Sequence, residues 1–399
     1  MMGPPDERPG MAQRTARTPV VAAVLAALLA GGCAPQERPA SAPARPGVSA
    51  AVRGLVTEGD APGAAALARD GRRTWFGTAG VADVRSKRRI RPDDRFRAGS
   101  VTKTFVATVT LQLAAEQRLR LDDTVERHLP GLVRGNGNDG RRITVRQLLD
   151  HTSGLFDYTG DRELRDQSFG RGLPVHRAGS RTPRQLVRVA LRHPPRFRPG
   201  TGYRYSNTDY ILLGLIVRQV TGHPYPAEIR RRILRPLRLS GTSFPGTREG
   251  LPAPHGRAYS TRPPGPGGHR RKRVDVTALD PSSAGAAGEM VSTLDDLGRF
   301  LQALLSGRLL PAAQLERMRD TAGTHGKYGL GLFPVRLPCG RTLWGHNGVI
   351  NGSYVLVVGT ADGRRVFGYR VNSDVMRDRQ AEPRLLAAEF CRRSPAPRS

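Results

Sequence analysis

The sequence predicts an α+β fold in which strands from both ends of the chain share one sheet and the middle is mainly helical. Residues 63–69 and 73–81 have the composition and spacing of a β-hairpin. Strand-like segments return from residue 341 and continue to a last helix, whereas residues from about 120 to 285 mix helices with long loops. Because the two groups of strands lie at opposite ends of the sequence, the helical middle has to be an insertion beside a common sheet.

Ser100 and Lys103 lie one helical turn apart at the start of an apolar segment. Phe105, Val109 and Leu113 follow with helical spacing, which predicts Ser100 in the first turn of a helix. Residues three apart share a helix face, so the Lys103 amine can reach the Ser100 hydroxyl, and the helix dipole favours a developing alkoxide. The pair predicts a serine nucleophile. The alternative is a polar helix start followed by a solvent-reaching lysine.

Lysine is rare in this protein, which makes Lys103 informative. Only four of the 64 basic residues are lysine, at positions 87, 103, 272 and 327. An ordinary basic surface is therefore built from arginine, which cannot lose its proton in a protein, whereas a desolvated lysine can. A lysine that loses its proton beside a serine can therefore act as the base that activates the serine hydroxyl.

A second polar pair follows about 100 residues later. The Pro- and Gly-rich segment 198–207 ends in Tyr205 and Asn207 and leads into an apolar helix over 211–220. The Tyr205 phenol can pass a proton, and the Asn207 amide can orient a lysine or a substrate carbonyl. The alternative is that Asn207 caps the helix and Tyr205 packs at its start.

A third element contains His346 between two predicted strands, 341–344 and 353–358. Asn347-Gly348 and Asn351-Gly352 compete for the hairpin turn, and we assign the turn to the second pair. This leaves residues 346–349 extended on an edge. There the Val349 amide, next to Gly348, can form an oxyanion hole with the Ser100 amide.

Together, these Ser-x-x-Lys, Tyr-x-Asn and His-x-Gly elements resemble the serine penicillin-recognising superfamily, in particular its D-alanyl-D-alanine carboxypeptidase and class C β-lactamase branch. Five further segments carry the resemblance: Leu148–Leu155, Phe197–Gly200, Tyr205–Gly214, Gly288–Thr293 and Tyr328–Leu332. The resemblance implies a β-lactamase/transpeptidase-like fold, with a five-stranded antiparallel sheet flanked by helices and a mainly helical subdomain within about 120–285.

The resemblance also implies a role for each site residue. Ser100 is expected to be the acylated nucleophile, and Lys103 and Tyr205 the proton-transfer pair. Asn207 is expected to orient these groups and the substrate amide, and His346 to occupy the place that lysine holds in related branches.

One position departs from the carboxypeptidase pattern. Asn347 stands where family carboxypeptidases usually carry a threonine or serine hydroxyl that helps to bind the substrate carboxylate. An amide there predicts weak recognition of a free carboxylate, unless Arg336, on the approach to this strand, supplies a replacement clamp.

The N-terminus predicts export. The apolar run 20–30 is too short to cross a membrane as a helix and is typical of a signal peptide. Cys33 follows two glycines, which predicts a lipid-anchored N-terminal cysteine on the outer face of the cytoplasmic membrane; soluble secretion is the alternative. The predicted segments are a signal peptide over 1–32, a Pro/Ala/Arg-rich tether over 33–47, the hydrolase domain over 48–392 and a tail over 393–399.

If Cys33 carries a lipid, Cys339 and Cys391 remain as a pair in an oxidising compartment. Cys391 ends a helix-like segment that packs on the sheet in the family, so a disulfide is expected, with two buried thiols as the alternative. No Cys and His spacing suggests a metal site, and no cofactor is expected.

The formal net charge of +30 raises nucleic acid as a partner. However, the arginines are scattered along the chain, no nucleic-acid motif is present and the predicted signal peptide separates the protein from DNA. Anionic envelope polymers or lipid headgroups are the partners that this charge favours, and a monomer is expected.

The sequence thus predicts an exported enzyme that cleaves a peptide or ester through an acyl-enzyme, first of all a D-alanyl-D-alanine carboxypeptidase acting on cell-wall peptides. An esterase or β-lactamase on the same scaffold is the alternative, and a non-catalytic envelope-binding protein is an alternative of another class. Ser153 lies two residues after His151, but no Gly-x-Ser-x-Gly elbow is present, so we interpret that segment as structural.

Overall fold

A computed structural model describes residues 44–168, 179–262, 272–378 and 380–391. The predicted signal peptide, Cys33, most of the tether and the C-terminal tail lie outside these residues.

The strands of the described chain are β1 (Gly63–Asp70), β2 (Arg73–Gly80), β3 (Phe96–Arg97), β4 (Arg134–Gly135), β5 (Asn138–Asp139), β6 (Tyr259–Arg262), β7 (Lys272–Asp275), β8 (Val291–Ser292), β9 (Phe333–Arg336), β10 (Thr342–Ile350), β11 (Ser353–Thr360) and β12 (Arg365–Val371). The α-helices are α1 (Pro46–Thr57), α2 (Thr102–Ala115), α3 (Val125–His128), α4 (Val145–Leu149), α5 (Arg162–Ser168), α6 (Pro183–Leu191), α7 (Asn207–Thr221), α8 (Tyr225–Ile229), α9 (Gly285–Gly288), α10 (Leu294–Leu305), α11 (Ala312–Arg319) and α12 (Ala381–Phe390).

Both ends of the described chain meet in one antiparallel sheet, as predicted. The strand order is β2-β1-β12-β11-β10-β9, and β1 pairs with β12 so that Ala64 lies opposite Val371. The sheet has six strands instead of the expected five because β9 adds an edge strand. β9 is four residues long and contains Pro334, which is typical of an edge and leaves a weak sequence signal.

The sheet is buried on both faces, and alternate side chains of its strands enter two separate cores. In β11, Val355 and Val357 pack in the larger core with α2 and α10, whereas Leu356 and Val358 pack in the smaller core with α1 and α12. This alternation follows from the period of two along a strand. The strands are therefore held rigidly, which fixes the position of the β10 edge.

Helix α2 is the central helix of the larger core, and it is buried on every side over residues 102–111. Its threonine hydroxyls bond to main-chain carbonyls: Thr104 to Gly331 at 2.7 Å and Thr108 to Thr104 at 2.7 Å. A helix that is apolar all round belongs in a core. Its N-terminus therefore opens at the boundary between sheet and helices.

The predicted helical middle is present as α3 to α8, between residues 125 and 229. Within this part of the chain, residues 134–142 contain the hairpin of β4 and β5, and Asn138 is buried and donates to the His193 carbonyl. The Pro/Gly-rich loop after Arg262 lies outside the described residues. None of the helices in the described ranges combines the length and apolarity needed to cross a membrane.

The predicted disulfide is confirmed. Cys339, between β9 and β10, is bonded to Cys391 at the end of α12, and the two cysteines have a sequence separation of 52. The bond ties the β10 side of the sheet to the C-terminal helix.

Loss of this bond should lower stability without changing the site. We expect the double variant Cys339→Ser/Cys391→Ser to lose about 2–4 kcal/mol of unfolding free energy, because closing a long loop restricts the unfolded chain. Denaturant unfolding with and without dithiothreitol measures the loss. The reductant should destabilise the wild type and leave the double variant unchanged, and equal effects on both proteins would contradict the prediction.

Candidate active site

The nucleophile turn and strand β10 touch through two glycines. Ser100 lies in a 3-10 turn directly before α2, and Gly99 in that turn has φ +51°. A Cβ atom at Gly99 would lie 2.9 Å from the Val349 nitrogen, and one at Gly348 would lie 1.9 Å from the Ala98 carbonyl oxygen. Only glycine permits this approach.

Lys103 is fully buried beneath Ser100. Its Nζ donates hydrogen bonds to Ser100 Oγ at 3.1 Å, to Asn207 Oδ1 at 2.8 Å and to the Ala287 carbonyl at 2.6 Å. Desolvation lowers the pKa of Lys103 to about 7, although the negative charge of Asp157 opposes the shift. An amine that is half neutral near physiological pH can take the Ser100 proton.

Asn207 holds this lysine and does not cap its helix. It is the first residue of α7, and Nδ2 of its amide donates to Asp157 Oδ2 at 3.0 Å while Oδ1 faces Lys103. The carboxylate only accepts and the ammonium only donates, so one orientation of the amide satisfies both. The capping alternative is wrong.

Tyr205 lies beside Lys103, with its ring centroid 4.8 Å from Nζ. Its phenol oxygen is buried without a regular hydrogen bond. Burial raises the pKa of Tyr205 far above its ordinary value, and the neighbouring Ser100 hydroxyl offsets part of the rise. The phenol therefore keeps its proton at neutral pH and can act as a donor.

His346 is buried and neutral. Its Nδ1 lies 2.5 Å from the Asn347 carbonyl, which only accepts, so Nδ1 carries the proton and Nε2 accepts from the Tyr328 hydroxyl at 2.7 Å. Desolvation lowers the pKa of His346 to about 3. His346, which the resemblance implies at the place of lysine in related branches, therefore carries no positive charge.

The hairpin register directs the Val349 amide at the nucleophile turn. Ile350 and Ser353 flank the two-residue turn and pair directly, which confirms the turn at Asn351-Gly352. The residues of such a pair form both main-chain hydrogen bonds with each other. Because hydrogen-bonded and non-hydrogen-bonded pairs alternate, the next pair, Val349 and Tyr354, forms none. The Val349 N–H consequently points to the free edge of β10, toward Ser100.

The nucleophile turn and the end of β10 border a cleft with an empty volume of about 530 Å³, including its open mouth. Its described lining includes Ser100, Asn207 and Val349. A buried lysine bonded to a cleft-lining serine is the arrangement of a serine acyl-transfer enzyme.

A family model described as Beta-lactamase matches residues 48–389. The chain belongs to the beta-lactamase family. This confirms the predicted superfamily and fold class, and the protein is a serine hydrolase of that family.

Solved structures give finer similarities for this beta-lactamase-family chain. It is similar to a D-stereospecific amidohydrolase from Streptomyces sp., with 46% identity, a TM-score of 0.79 and coverage of 88% of this chain and 99% of that one. It is also similar to the D-amino acid amidase from Ochrobactrum anthropi SV3 in complex with D-phenylalanine, with 28% identity, a TM-score of 0.74 and coverage of 86% and 98%.

A curated relative matches over a shorter stretch. Protein flp of Staphylococcus aureus (strain COL) is 32% identical over 194 residues, which is 48% of this chain and 36% of flp. The chain therefore spans about a third of that relative's length.

Two residues predicted for substrate binding do not line the cleft. Arg336 is exposed on β9, opposite Thr342, with its guanidinium beside Gly326. The Thr342 end of β10 lies six residues from Gly348, about 20 Å along the strand. Asn347 shares the sheet face of Tyr354, whose phenol it contacts, so its amide is turned to that side. The idea of Arg336 as a carboxylate clamp is therefore not supported by its position.

Sequence reasoning missed a buried pair behind Tyr205. The His151 ring is 4.2 Å from the Tyr205 ring, and its Nδ1 is 3.0 Å from Asp209 Oδ2 while the Ser206 N–H donates to it at 3.3 Å. Nδ1 therefore accepts, and the Asp209 carboxyl supplies a proton. Burial raises the pKa of Asp209 well above its usual range and lowers that of His151 well below, so the pair is neutral.

The neighbouring Ser153 hydroxyl bonds to Asp209 at 2.5 Å and is buried, which agrees with a structural role for this segment. The buried Tyr328 and the half-buried Asp157 were missed as well. Their only sequence signal was their place in or beside segments that resemble the family, at 328–332 and after 148–155.

The pH dependence of activity should follow the Lys103 amine. We expect kcat/KM to rise about tenfold per pH unit below pH 7 and to level off above it, because the neutral amine takes the Ser100 proton. Lys103→Arg should lower kcat/KM about 10²- to 10⁴-fold, since arginine keeps the charge but not the base. Lys87→Arg, an exposed site, is the control. A rate that falls from pH 6 to 8, or an active Lys103→Arg, would contradict the assignment.

Asp157 should affect both the orientation of Asn207 and the pKa of Lys103. Asp157→Asn removes a negative charge that raises the pKa of Lys103, so the midpoint of the pH–rate profile should move to lower pH. We also expect a loss of about 10- to 100-fold in kcat, because the Asn207 amide is no longer fixed. Asp93→Asn, at an exposed site, controls for general charge. A midpoint that stays in place or rises argues against the contact.

Proposed function

We propose that this protein hydrolyses amide bonds on the carbonyl side of D-amino acid residues through an acyl-enzyme at Ser100. The observation that carries the proposal is the hydrogen bond between Ser100 Oγ and a fully buried Lys103 of pKa about 7, at a cleft whose described lining contains no lysine, arginine or histidine. This combination favours acyl transfer on a substrate without a carboxylate at the site.

The proposed steps use only groups of this chain and water. Neutral Lys103 takes the Ser100 proton as Oγ attacks the substrate carbonyl, and the resulting oxyanion accepts hydrogen bonds from the Ser100 and Val349 amides. The Tyr205 phenol gives its proton to the leaving nitrogen and recovers one from Lys103. Water then attacks the acyl ester with the same groups acting in reverse, and Ser100 leaves with a proton.

Release of a C-terminal residue from cell-wall peptides, the first expectation from the sequence, has less support. A free carboxylate needs a cation or several donors when it is desolvated. His346 is neutral, the Asn347 amide is turned toward Tyr354 and Arg336 lies far along the strand. The described lining of the cleft therefore has no cationic side chain to hold the carboxylate.

An amide or peptide with a D-residue at its acyl side has more support. The amidohydrolase from Streptomyces sp. and the amidase from Ochrobactrum anthropi SV3 are similar to nearly the whole described domain. The cleft walls include the apolar side chains of Leu279, Pro281 and Val349, which suit a non-polar side chain. The alternatives of a β-lactamase and an esterase are tested by including their substrates in the panel below.

A substrate panel tests this function. We expect kcat/KM for D-phenylalanine amide to exceed that for L-phenylalanine amide and for a D-Ala-D-Ala peptide by at least about tenfold, since a missing polar partner costs about 1.4 kcal/mol or more. Nitrocefin and p-nitrophenyl acetate complete the panel. Ser100→Ala should abolish all turnover. A preference for the D-Ala-D-Ala peptide would return the assignment to a carboxypeptidase, and a preference for nitrocefin to a β-lactamase.

A further inference from the structure

The cleft holds one carboxylate that the proposed chemistry does not use. Asp280 lines the same space as Ser100 and is the only charged side chain among the described residues of the lining. The rest of the lining is apolar or neutral, including Val349, which is 51% exposed. In a protein with a net charge of +30, this cleft therefore has the opposite local charge.

Asp280 is held by neutral groups. Its Oδ1 accepts from the Ser282 N–H at 2.8 Å, at the start of the 3-10 turn Pro281–Ser283, and its Oδ2 accepts from the Ser180 hydroxyl at 2.7 Å. Within the described residues it has no ion pair. Each oxygen keeps a lone pair for another donor.

One basic group that interacts electrostatically with Asp280, Arg97, makes its hydrogen bonds elsewhere. Arg97 is buried, and its Nη2 donates to the carbonyls of Leu279 at 2.9 Å and Thr277 at 3.2 Å. The charge of Asp280 raises the pKa of Arg97, but the hydrogen bonds of the guanidinium go to main-chain oxygens. Asp280 thus lines the cleft as a carboxylate that forms no ion pair with any of the described residues.

Another carboxylate near the cleft is already occupied. Asp157 accepts hydrogen bonds from the Asn207 amide, and it also accepts one from the Thr159 hydroxyl at 2.9 Å. It is not part of the described lining. It serves the catalytic amide. Asp280 is therefore the carboxylate of the described lining that a cationic group of a substrate can contact.

We propose that Asp280 binds the α-ammonium group of the substrate, so that the protein acts on amides and peptides whose D-residue has a free amino group. The proposal rests on the proposed function. An α-ammonium lies two bonds from the carbonyl carbon that Ser100 attacks, so a carboxylate lining the same small cleft suits it. Ammonium–carboxylate pairing is favourable where water is partly excluded.

The test compares D-phenylalanine p-nitroanilide with its N-acetyl derivative, in which a larger, neutral acetamide replaces the ammonium. For the wild type we expect the free amine to be preferred. Asp280→Asn keeps the turn capped, because asparagine is as good a cap as aspartate, but removes the charge. The ratio of the two kcat/KM values should fall at least tenfold, mainly through KM for the free amine. Asp122→Asn, at an exposed site, should leave the ratio unchanged.

Binding separates this proposal from the proposed function. In the Ser100→Ala background, calorimetry with D-phenylalanine amide should show binding that Asp280→Asn weakens at least tenfold. If binding depends on Asp280 but the wild type does not cleave the amide, the ammonium site stands and the proposed reaction fails. Equal losses for the free and acetylated substrates, or binding indifferent to Asp280→Asn, would overturn the proposal.

Discussion

The desolvated amine of Lys103 is the interaction on which the site depends. Burial in the core lowers its pKa to about 7, and hydrogen bonds to Ser100, Asn207 and the Ala287 carbonyl hold it in one place. A solvent-exposed lysine would remain protonated and inert as a base. The fold must therefore bury a basic group and still leave the serine beside it accessible.

The central helix meets both requirements. Because α2 is buried on all sides, Lys103 on its first turn is inside the core, while the 3-10 turn before it reaches the cleft. Gly99 and Gly348 allow that turn to touch β10, whose outer edge is free beyond the short β9 pairing. The free edge of β10 then directs the Val349 N–H toward Ser100. The geometry of the site therefore depends on the topology of the sheet.

Local electrostatics decide which substrates suit this machinery. The chain is strongly basic, yet the described lining of the cleft contains no cationic side chain, and His346 is buried and neutral. The buried His151–Asp209 pair is likewise neutral and supports Tyr205 without adding charge. Net charge therefore says little about the site, because each buried group responds to its own surroundings.

The sequence by itself determined the elements that depend on local patterns. Helical spacing after Ser100, the turn at Asn351-Gly352 and the segments shared with the family were enough for the fold class and for the group of Ser100, Lys103, Tyr205, Asn207 and His346. The cysteine count and the predicted export were enough for the Cys339–Cys391 pair. The edge strand β9 was not predicted, because a strand of four residues that includes a proline has little hydrophobic periodicity.

Only the tertiary structure decided how distant residues meet and what burial does to them. The contact of Asp157 with Asn207, the neutral state of His346 and the place of Asp280 in the cleft join segments far apart in sequence. The same applies to Arg336, which is near His346 in sequence but distant along the strand. Desolvation and hydrogen-bond partners depend on which distant residues pack together, so they cannot be predicted from a local sequence pattern.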